Sequence, residues 1–377
     1  MKIAVIEVEC HAEVLRSTIL LFSKIPNYQL TIFTTLDILT EASFSIESTA
    51  CLTIILKKSN ETDAIFFKRN IDLINKHNYL LINTLQRKFY IYNNLNITIP
   101  ISVRVHNSHF YWSNFFQNKK YDLAKYKLLI KEIYKLEIVQ RKQFLKKVNY
   151  FFFPSESTYT HAIQTYPFLK KKAHFFPLNY QDSIPSVSKG IEKTLIIPGK
   201  VDPLRKDLDF LHTFIKLLAE KQLDFVITIV FLGVTEGEKA KRFIEKIMHY
   251  SSKSLKIVSF TSIVPLDTYI NHMQKCDIVW CPIYTSTVFQ FSKEIYGKTK
   301  VSGGVNDAIN FGKWCFVPSS YSVDISLDKQ ILTYDSVEDL YVKVKNKLTD
   351  GPETPLQAKD SSYHLESQCA FIQTVFK

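Results

Sequence analysis

The most restrictive feature of this sequence is a repeated alternation between short apolar runs and longer amphipathic segments. Apolar runs of about four to eight residues are typical of strands that are buried on both faces of a sheet. Apolar residues at every third or fourth position are typical of the helices that cover such a sheet. The alternation therefore predicts an α/β protein whose strands pair in parallel.

The periodicity assigns elements along the whole chain of 377 residues. In the first half it predicts strands at residues 2–8, 30–34, 52–56, 64–67, 79–82, 101–105 and 150–153. Helices are predicted in that half at 11–23, 83–92 and 121–147. In the second half it predicts strands at 194–197, 225–232, 255–260, 278–281 and 314–317, and helices at 208–220, 238–249, 266–275 and 302–310.

Polar residues without periodicity separate the two halves. Residues 179–193 read NYQDSIPSVSKGIEK, and we interpret 183–193 as a linker between two domains. The domains are then two Rossmann-like halves, 1–182 and 194–350, and the tail at 351–377 is predicted to pack back on the first domain. Because ligands of parallel sheets bind beyond the carboxyl ends of the strands, we expect one cleft site to which both domains contribute.

The glycines are unevenly distributed. The chain has only nine, where average composition predicts roughly 26, and all nine lie at or beyond Gly190. This excludes a phosphate loop of the G-x-G-x-x-G or Walker A kind from the first half. A nucleotide that is bound by close approach to the backbone must therefore bind to the second half.

Composition narrows the class further. The formal net charge of +12 favours an acidic partner, which can be nucleic acid, an anionic membrane surface or a phosphorylated substrate. The six cysteines include no C-x-x-C pair, so they fit neither a zinc site nor a disulfide framework. The opening residues MKIAVIEVEC predict a strand rather than a signal peptide, and no apolar stretch is long enough to span a membrane. We expect a cytoplasmic protein with reduced thiols.

The segment from Glu294 to Pro318, EIYGKTKVSGGVNDAINFGKWCFVP, holds four of the nine glycines. A serine and two glycines before a helix can cap it and leave its N–H groups open to an anion, while two upstream lysines neutralise phosphate charge. An aspartate one turn into the helix is placed to accept from ribose or sugar hydroxyls. These residues are Lys298, Lys300, Ser302, Gly303, Gly304 and Asp307. The alternative is an ordinary loop-to-helix junction with solvated charges.

A second basic turn follows the first predicted strand of the second half. The sequence LIIPGKVDPLRKDLDF, residues 195–210, leaves the strand at Gly199 and then offers Lys200, Arg205 and Lys206. Three cations at the carboxyl end of a strand can clamp a diphosphate. The alternative is a capped turn with exposed basic residues.

Candidate residues in the first half follow two predicted strands. ISVRVHNSHFYW places His106 and Asn107 just after a strand, where a histidine can bond a sugar hydroxyl or act as an acid or base. His11 and Glu13 lie in the first β–α connection, where an acceptor can bind. Structural roles for these four residues are the alternative.

Taken in order, these segments resemble the family 4 (group 1) glycosyltransferases with the GT-B fold, particularly the bacterial surface-polysaccharide members. VRVHN is similar to that family's strand ending in an active-site histidine, here His106. IPGKVDPLRKD resembles its G-R-x(4–5)-K phosphate motif, with Lys200 in the Arg place and Arg205 or Lys206 in the Lys place. The segments YFFFPSES, AHFFPLN and VPLDTYINHMQKCDIVWCPI also match the family's order of elements.

One departure concerns the family's E-x7-E signature. Asp307 falls where the second, ribose-binding Glu belongs, but eight residues earlier the chain has Thr299. Glu294 is the nearest acid, and we assign it to the donor-sugar contact. A subgroup with Y-G-x-(S/T)-K-x-S-G before D-A-I resembles this segment.

The resemblance implies transfer of a sugar from a nucleotide-diphosphate donor to a glycan or lipid-linked acceptor, with retention at the anomeric carbon. It also implies no metal and no cofactor besides the donor substrate, a second domain that binds the donor and a first domain that faces the acceptor. His106 and Glu294 are then the catalytic residues. Two alternatives remain open, namely a non-catalytic carbohydrate- or nucleotide-binding protein on the same fold and a sugar-nucleotide epimerase.

The segment 119–147 carries ten Lys or Arg residues against three acids. It can dock on anionic lipid headgroups, which would place the protein on the inner face of the cytoplasmic membrane, or it can be a solvated helix face. Five aromatic residues precede it: Phe110, Tyr111, Trp112, Phe115 and Phe116. Such residues can stack on single-stranded nucleic acid, but we favour a sugar-stacking or lipid-facing loop and expect no nucleic-acid partner.

Overall fold

The structure is a computed structural model that describes residues 1–42, 51–112, 137–177, 192–221, 224–290, 292–349 and 362–376. It divides into two compact units. The first unit comprises residues 1–178, 288–294 and 365–377, and the second comprises 179–287 and 295–364. The predicted linker at 183–193 lies outside the described residues except for its last two, which open the first strand of the second unit.

The first unit is built on a sheet of seven parallel strands. These are β1 Lys2–Glu7, β2 Gln29–Thr34, β3 Leu52–Leu56, β4 Tyr79–Ile82, β5 Ile101–Arg104, β6 Tyr150–Phe153 and β7 Ala173–Phe175. Their order in the sheet is β3-β2-β1-β4-β5-β6-β7. Its helices before the second unit are α1 Ala12–Ser23, α2 Leu36–Glu41, α3 Asp63–Ile74, α4 Phe89–Asn94, α5 Ser108–Trp112, α6 Glu137–Lys147 and α7 Glu156–Thr165.

The second unit has a six-stranded parallel sheet in the order β10-β9-β8-β11-β14-β15. Its strands are β8 Glu192–Pro198, β9 Val226–Val234, β10 Leu255–Phe260, β11 Ile278–Trp280, β14 Trp314–Pro318 and β15 Ile331–Tyr334. A separate two-stranded sheet is formed by β12 Ser286–Phe289 and β13 Ser292–Ile295. The helices are α8 Leu208–Glu220, α9 Glu238–Met248, α10 Leu266–Lys275, α11 Gly303–Asn310 and α12 Val337–Thr349, followed by α13 Leu365–Val375, which belongs to the first unit.

Each unit has its own apolar core. In the first unit, residues 3–6 of β1 and 80–82 of β4 are buried, as central parallel strands covered by helices must be. In the second unit, Leu195 and Ile197 of β8 and the ring of Trp280 on β11 lie in one cluster with Phe214 of α8. The apolar runs of the sequence thus became the middle strands of the two sheets.

The strand predicted at 64–67 is wrong, because these residues form part of helix α3. Thr62 caps this helix, since its side-chain oxygen accepts a hydrogen bond from the Ile65 N–H at 3.3 Å. Phe66 and Asn70 are buried one turn apart. Of the short apolar run, Phe66 and Phe67 lie on the inner face of an amphipathic helix, while Ile65 is 56% exposed.

The helix predicted at 83–92 begins only at Phe89. The residues before it are held in a loop by two carboxylates, those of Glu7 at the end of β1 and of Glu9 just after it. The Thr84 hydroxyl donates to Glu7 Oε2 at 2.6 Å, and the Gln86 N–H donates to Glu9 Oε1 at 3.1 Å. These hydrogen bonds take the place of the helical ones that the periodicity predicted.

Residues 288–294, which the sequence assigned to the second domain, are grouped with the first unit. Phe289 packs edge-on against Phe110 with ring centroids 5.3 Å apart, and Gln290 Nε2 donates to the Gln86 carbonyl oxygen at 3.0 Å. This short segment from the second half of the chain thus packs in the core of the first unit. Among the described residues, every helix is too short or too polar to cross a lipid bilayer.

Candidate functional site

In the second unit, two glycines shape the carboxyl end of β8. Gly199 follows the strand with φ +77°, a conformation that favours glycine. Gly233 on β9 lies so close that a Cβ atom there would be 2.3 Å from the Gly199 carbonyl carbon. Sequence analysis missed Gly233, although its place at the end of a predicted strand was the available signal.

The three cations of this turn have different surroundings. Lys200 and Arg205 are exposed and pair with acids, Lys200 with Glu236, and Arg205 Nε with Asp202 Oδ2 at 3.5 Å. Exposed pairs of this kind contribute little to stability, so both cations can exchange their partners for a ligand. Lys206 alone is turned inward.

Lys206 is a buried amine at the end of β8. Its side chain is only 6% exposed, and its Nζ donates to the Pro198 carbonyl oxygen at 2.6 Å. Burial lowers the pKa of Lys206 to about 8, against the opposing effect of Cys281 and Asp202. A buried cation with a depressed pKa gains most from an added anion.

The amino end of α11 lies beside the same proline. The Ser302 side chain makes no capping hydrogen bond, which differs from the predicted cap and leaves the first N–H groups of the helix without one. A Cβ on Gly303 would meet nothing within 4 Å. A Cβ on Gly304 would lie 2.6 Å from Pro198 Cγ and 2.7 Å from Cys281 Sγ, so this glycine is required by packing.

Pro198 therefore brings together the buried amine of Lys206 and the uncapped, glycine-lined end of α11. A helix amino end carries a partial positive charge, and its N–H groups point out along the axis. Together with an ammonium group, it forms a site with the chemistry to bind an anion such as a diphosphate.

The loop before α11 is tightly folded. Gly297 has φ +78°, and a Cβ there would lie 2.5 Å from the Ser322 carbonyl oxygen. Thr299 is buried, and its hydroxyl accepts from the Ile295 N–H at 2.7 Å. Lys298 is exposed, whereas Lys300 lies 5.0 Å above the centre of the Tyr296 ring. Thr299 thus has a structural partner where the family signature has its first Glu.

Asp307 lies one turn inside α11. Its Oδ2 accepts a hydrogen bond from the Tyr269 hydroxyl of α10 at 2.6 Å. Burial and the Asp307 charge raise the pKa of Tyr269 well above its ordinary value, so this hydroxyl remains a donor. Sequence analysis named Asp307 but not its partner.

Glu294, assigned to the donor sugar, has its carboxylate in the first unit. It is fully buried, and its Oε1 accepts from the Phe110 N–H at 2.7 Å. The neighbouring Lys293 carbonyl oxygen accepts from His109 Nδ1, also at 2.7 Å. Both bonds anchor the segment to α5.

In the first unit, the predicted histidines meet at the carboxyl ends of β1 and β5. The rings of His11 and His106 stack with centroids 4.5 Å apart and planes 10° apart. His11 Nδ1 lies 2.7 Å from Glu13 Oε1, and His106 Nε2 donates to the Asn83 carbonyl oxygen at 2.8 Å. Burial lowers the pKa of His11, but hydrogen bonds with Cys10 and Glu13 outweigh it and raise that pKa to about 10.

Two carboxyl groups beside these histidines were missed by the sequence analysis. Burial raises the pKa of Glu7, which is 0% exposed, despite the hydrogen bond from Thr84. Burial also raises the pKa of Glu9 to about 7, against the hydrogen bond from the Gln86 N–H. The available signal was the position of two acids, two residues apart, at the end of an apolar strand.

A buried polar network lies beneath His106. Arg104 Nε donates to Asn83 Oδ1 at 3.0 Å and one terminal nitrogen donates to Thr18 Oγ1 at 3.3 Å, so the residue that holds His106 is itself held. Asn107 is buried, and its Oδ1 accepts no hydrogen bond from the described residues. The two histidines and the nearby carboxyl groups have the chemistry to move protons, and Asn107 has the chemistry to bind a hydroxyl group.

The predicted stacking loop after His106 is wrong where the structure describes it. Phe110 and Tyr111 are buried in the core, and the Arg141 guanidinium lies 4.4 Å from the centre of the Phe110 ring. These two rings are therefore unavailable to sugars, lipids or bases. Phe115, Phe116 and the basic residues 119–136 lie outside the described residues. No group of three or more His, Cys, Asp or Glu side chains suited to a metal ion occurs in the described part of the chain.

Comparison with known proteins locates the fold. Neither a protein-family model nor a curated protein matches the sequence. The structure of Anabaena Alr3699/HepE in complex with UDP and glucose matches with a TM-score of 0.58 and 10% identity, over 100% of this chain and 99% of that one. The pneumococcal O-GlcNAc transferase GtfA in complex with UDP and GlcNAc has a TM-score of 0.56 and 11% identity, over 100% and 98%.

A candidate UDP-N-acetylglucosamine 2-epimerase from Listeria monocytogenes has a TM-score of 0.52 and 12% identity, over 100% of this chain and 96% of that one. The neighbours are glycosyltransferases and epimerases that share one architecture of two Rossmann-like domains. With its parallel sheets of seven and six strands, this chain has the GT-B fold.

Proposed function

We propose that this protein is a glycosyltransferase that moves a sugar from a nucleotide-diphosphate donor to a glycan or lipid-linked acceptor. One observation carries the proposal. The buried Lys206 amine and the uncapped end of α11 lie against the same residue, Pro198, at the carboxyl end of β8. This is the position at which open parallel sheets bind nucleotides.

The diphosphate is the leaving group, and its developing charge must be stabilised. Lys206 supplies one cation, and the N–H groups of Gly303 and Gly304 supply the helix-end donors. Lys200 and Arg205 leave their exposed acid partners to add further charge. A site with these donors stabilises the leaving group without a metal.

The remaining roles follow the resemblance to family 4. Asp307 accepts the ribose hydroxyls, His106 lies beside the reacting sugar, and the acceptor binds near His11, Glu13 and Asn107. Transfer then proceeds with retention and contributes to surface polysaccharide synthesis. The basic segment 119–147 docks the otherwise cytoplasmic protein on anionic lipid. Neighbours crystallised with UDP and a sugar support the donor class.

A thermal-shift screen with UDP-, GDP- and CDP-sugars tests the proposal. A ligand that binds only the folded state raises the unfolding free energy by about 2.7 kcal/mol at a concentration of 100 times Kd. We expect one nucleotide class to raise Tm, and the corresponding sugar to appear on a glycan acceptor. Absence of any shift across the screen contradicts the proposal, and binding without transfer favours the non-catalytic alternative.

A sugar-nucleotide epimerase is the second candidate, favoured by the acids of the first unit. Epimerisation needs groups that remove and return a proton at a sugar carbon, and Glu7 and Glu9 have raised pKa values beside stacked histidines. Incubation with UDP-N-acetylglucosamine and no acceptor separates the two activities. An epimerised nucleotide sugar favours this candidate, while an unchanged donor favours the transferase.

A further inference from the structure

The hydrogen bond between Tyr269 and Asp307 joins two helices on one side of the second sheet. The distance of 2.6 Å between the Tyr269 hydroxyl and Asp307 Oδ2 is typical of a strong bond from a neutral hydroxyl to a carboxylate. Tyr269 lies in the first turn of α10, where its N–H donates to the Pro265 carbonyl oxygen at 2.9 Å. The backbone of Tyr269 is therefore held in place, and its hydroxyl is presented from a defined position on α10.

Asp307 is fixed through its backbone as well. Gln330 Nε2 donates to the Ala308 carbonyl oxygen at 3.0 Å, and Gly304 packs one turn earlier against Pro198. The position of Asp307 relative to α10 is thus determined on both sides.

An aspartate has two side-chain torsions, and a hydrogen bond to one oxygen selects the orientation of the whole carboxylate. A carboxylate offers about four acceptor sites, so accepting from Tyr269 is compatible with accepting from two vicinal hydroxyls. Without the phenol, the carboxylate loses one of the interactions that orient it, and binding of a ligand hydroxyl then carries a larger entropic cost of ordering it.

We propose that Tyr269 is a positioning residue that orients the Asp307 carboxylate toward the ribose hydroxyls, so that the pair selects ribonucleoside diphosphates over their deoxy counterparts. This inference rests on the proposed function, because it assumes that a nucleotide lies at the end of β8. It adds a residue and a source of selectivity that the sequence motif does not contain.

Calorimetry with UDP and 2′,3′-dideoxy-UDP tests the pair on the full-length protein. We expect wild type to bind UDP at least about tenfold more tightly than the dideoxy compound. Tyr269→Phe should weaken UDP binding about three- to tenfold and leave dideoxy-UDP binding unchanged. Tyr269→Phe in an Asp307→Asn background should add almost nothing, because the two residues act as one unit.

Tyr250→Phe is the matched control, since it removes another phenol of the same unit, 3.2 Å from His212 Nε2. It should leave both affinities unchanged. Equal losses of UDP and dideoxy-UDP binding in Tyr269→Phe, or no loss at all, overturn this inference alone. If UDP, GDP, CDP and ADP all fail to bind wild type, the proposed function is overturned and the inference with it.

Discussion

Lys206 is a lysine that is buried at the carboxyl end of β8. Its amine donates to a carbonyl oxygen, and burial depresses its pKa to about 8. At neutral pH the amine is mostly protonated, and a diphosphate would stabilise that form further. The affinity of the Lys206 amine for an anion should therefore fall as pH rises and the amine loses its proton.

We predict that affinity for UDP falls as pH rises from 7 to 9. Only the protonated amine attracts the diphosphate, so above the pKa of about 8 the apparent Kd should rise by up to about tenfold per pH unit. Lys206→Arg should flatten this dependence, since a guanidinium stays charged throughout the range. Calorimetry at pH 7, 8 and 9 measures the slope. A slope in the arginine variant as steep as in wild type contradicts the assignment.

The pKa of Glu9 is shifted in the opposite direction from that of Lys206. Burial raises its folded-state pKa from 4.5 to about 7, so the folded protein holds a proton that the unfolded chain releases. The contribution to stability is complete below pH 4.5 and is lost as pH rises through 7. A carboxyl group held in this way is suited to acid–base work near neutral pH.

Glu9→Gln should therefore flatten the pH dependence of stability. Relative to wild type, its unfolding free energy should rise between pH 5 and 7.5 by up to about 3 kcal/mol, because the amide has no proton to lose. Urea denaturation across this range measures the difference. Glu220→Gln, whose parent side chain is 60% exposed in α8, should keep the wild-type slope. Identical slopes for Glu9→Gln and wild type would show that Glu9 titrates normally.

Helix α11 is the element on which the proposed donor site depends. Its amino end is brought to β8 by the absence of a side chain at Gly304, and the helix is only eight residues long. Gly303 is the first residue of the helix, and a Cβ there would meet no described atom within 4 Å. The two adjacent glycines therefore differ, since Gly304 is required by packing and Gly303 lies at an open position.

Gly304→Ala and Gly303→Ala should have different effects on the unfolding free energy. The first forces a methyl group against Pro198 and Cys281 and should lower the unfolding free energy by about 1–3 kcal/mol and displace the anion site. The second meets no atom and should be neutral or raise stability by up to about 1 kcal/mol, since alanine is the better helix former. Thermal unfolding and UDP calorimetry on both variants measure this. Equal effects would contradict the packing role of Gly304.

Periodicity predicted the bounds of several elements correctly. The predicted bounds of α8, α10, β3, β4, β6 and β10 agree with the structure to the residue. Of these elements, β4 and β6 are mostly buried apolar runs and α8 has four buried apolar residues at helical spacing, so local sequence decides them, whereas β3, β10 and α10 are only partly buried. The segment 64–67 was mistaken for a strand because four residues are too few to distinguish a period of 2 from one of 3.6.

Elements that depend on distant partners were not predicted. β12 and β13 are partly polar, and their tip is held by Phe110 and Gln86, which lie far away in sequence. The loop at 83–88 is likewise determined by Glu7 and Glu9 rather than by its own residues. Tertiary hydrogen bonds override local propensity in both places.

For the molecule as a whole, the glycine distribution assigned the candidate phosphate site to the second half of the chain. Gly199, Gly303 and Gly304 all lie in the second unit, together with Lys206 and Asp307. Sequence alone could not reveal that Lys206 is buried while Lys200 and Arg205 are paired at the surface, because burial depends on how β8 and β11 meet. It also could not reveal the Glu7–Glu9 pair or the partner of Asp307, which arise from contacts between separate elements.

The central claim is that a nucleotide diphosphate binds where Lys206 and α11 meet, and calorimetry with UDP on two buried-lysine variants tests it most directly. Lys313 is the matched control, because it is also 6% exposed and also donates to a carbonyl oxygen, that of Gln274. We predict that Lys206→Met weakens UDP binding by at least about tenfold, the value of one charge-assisted hydrogen bond, while Lys313→Met stays within about threefold of wild type. Equal affinity of Lys206→Met and wild type would contradict the account.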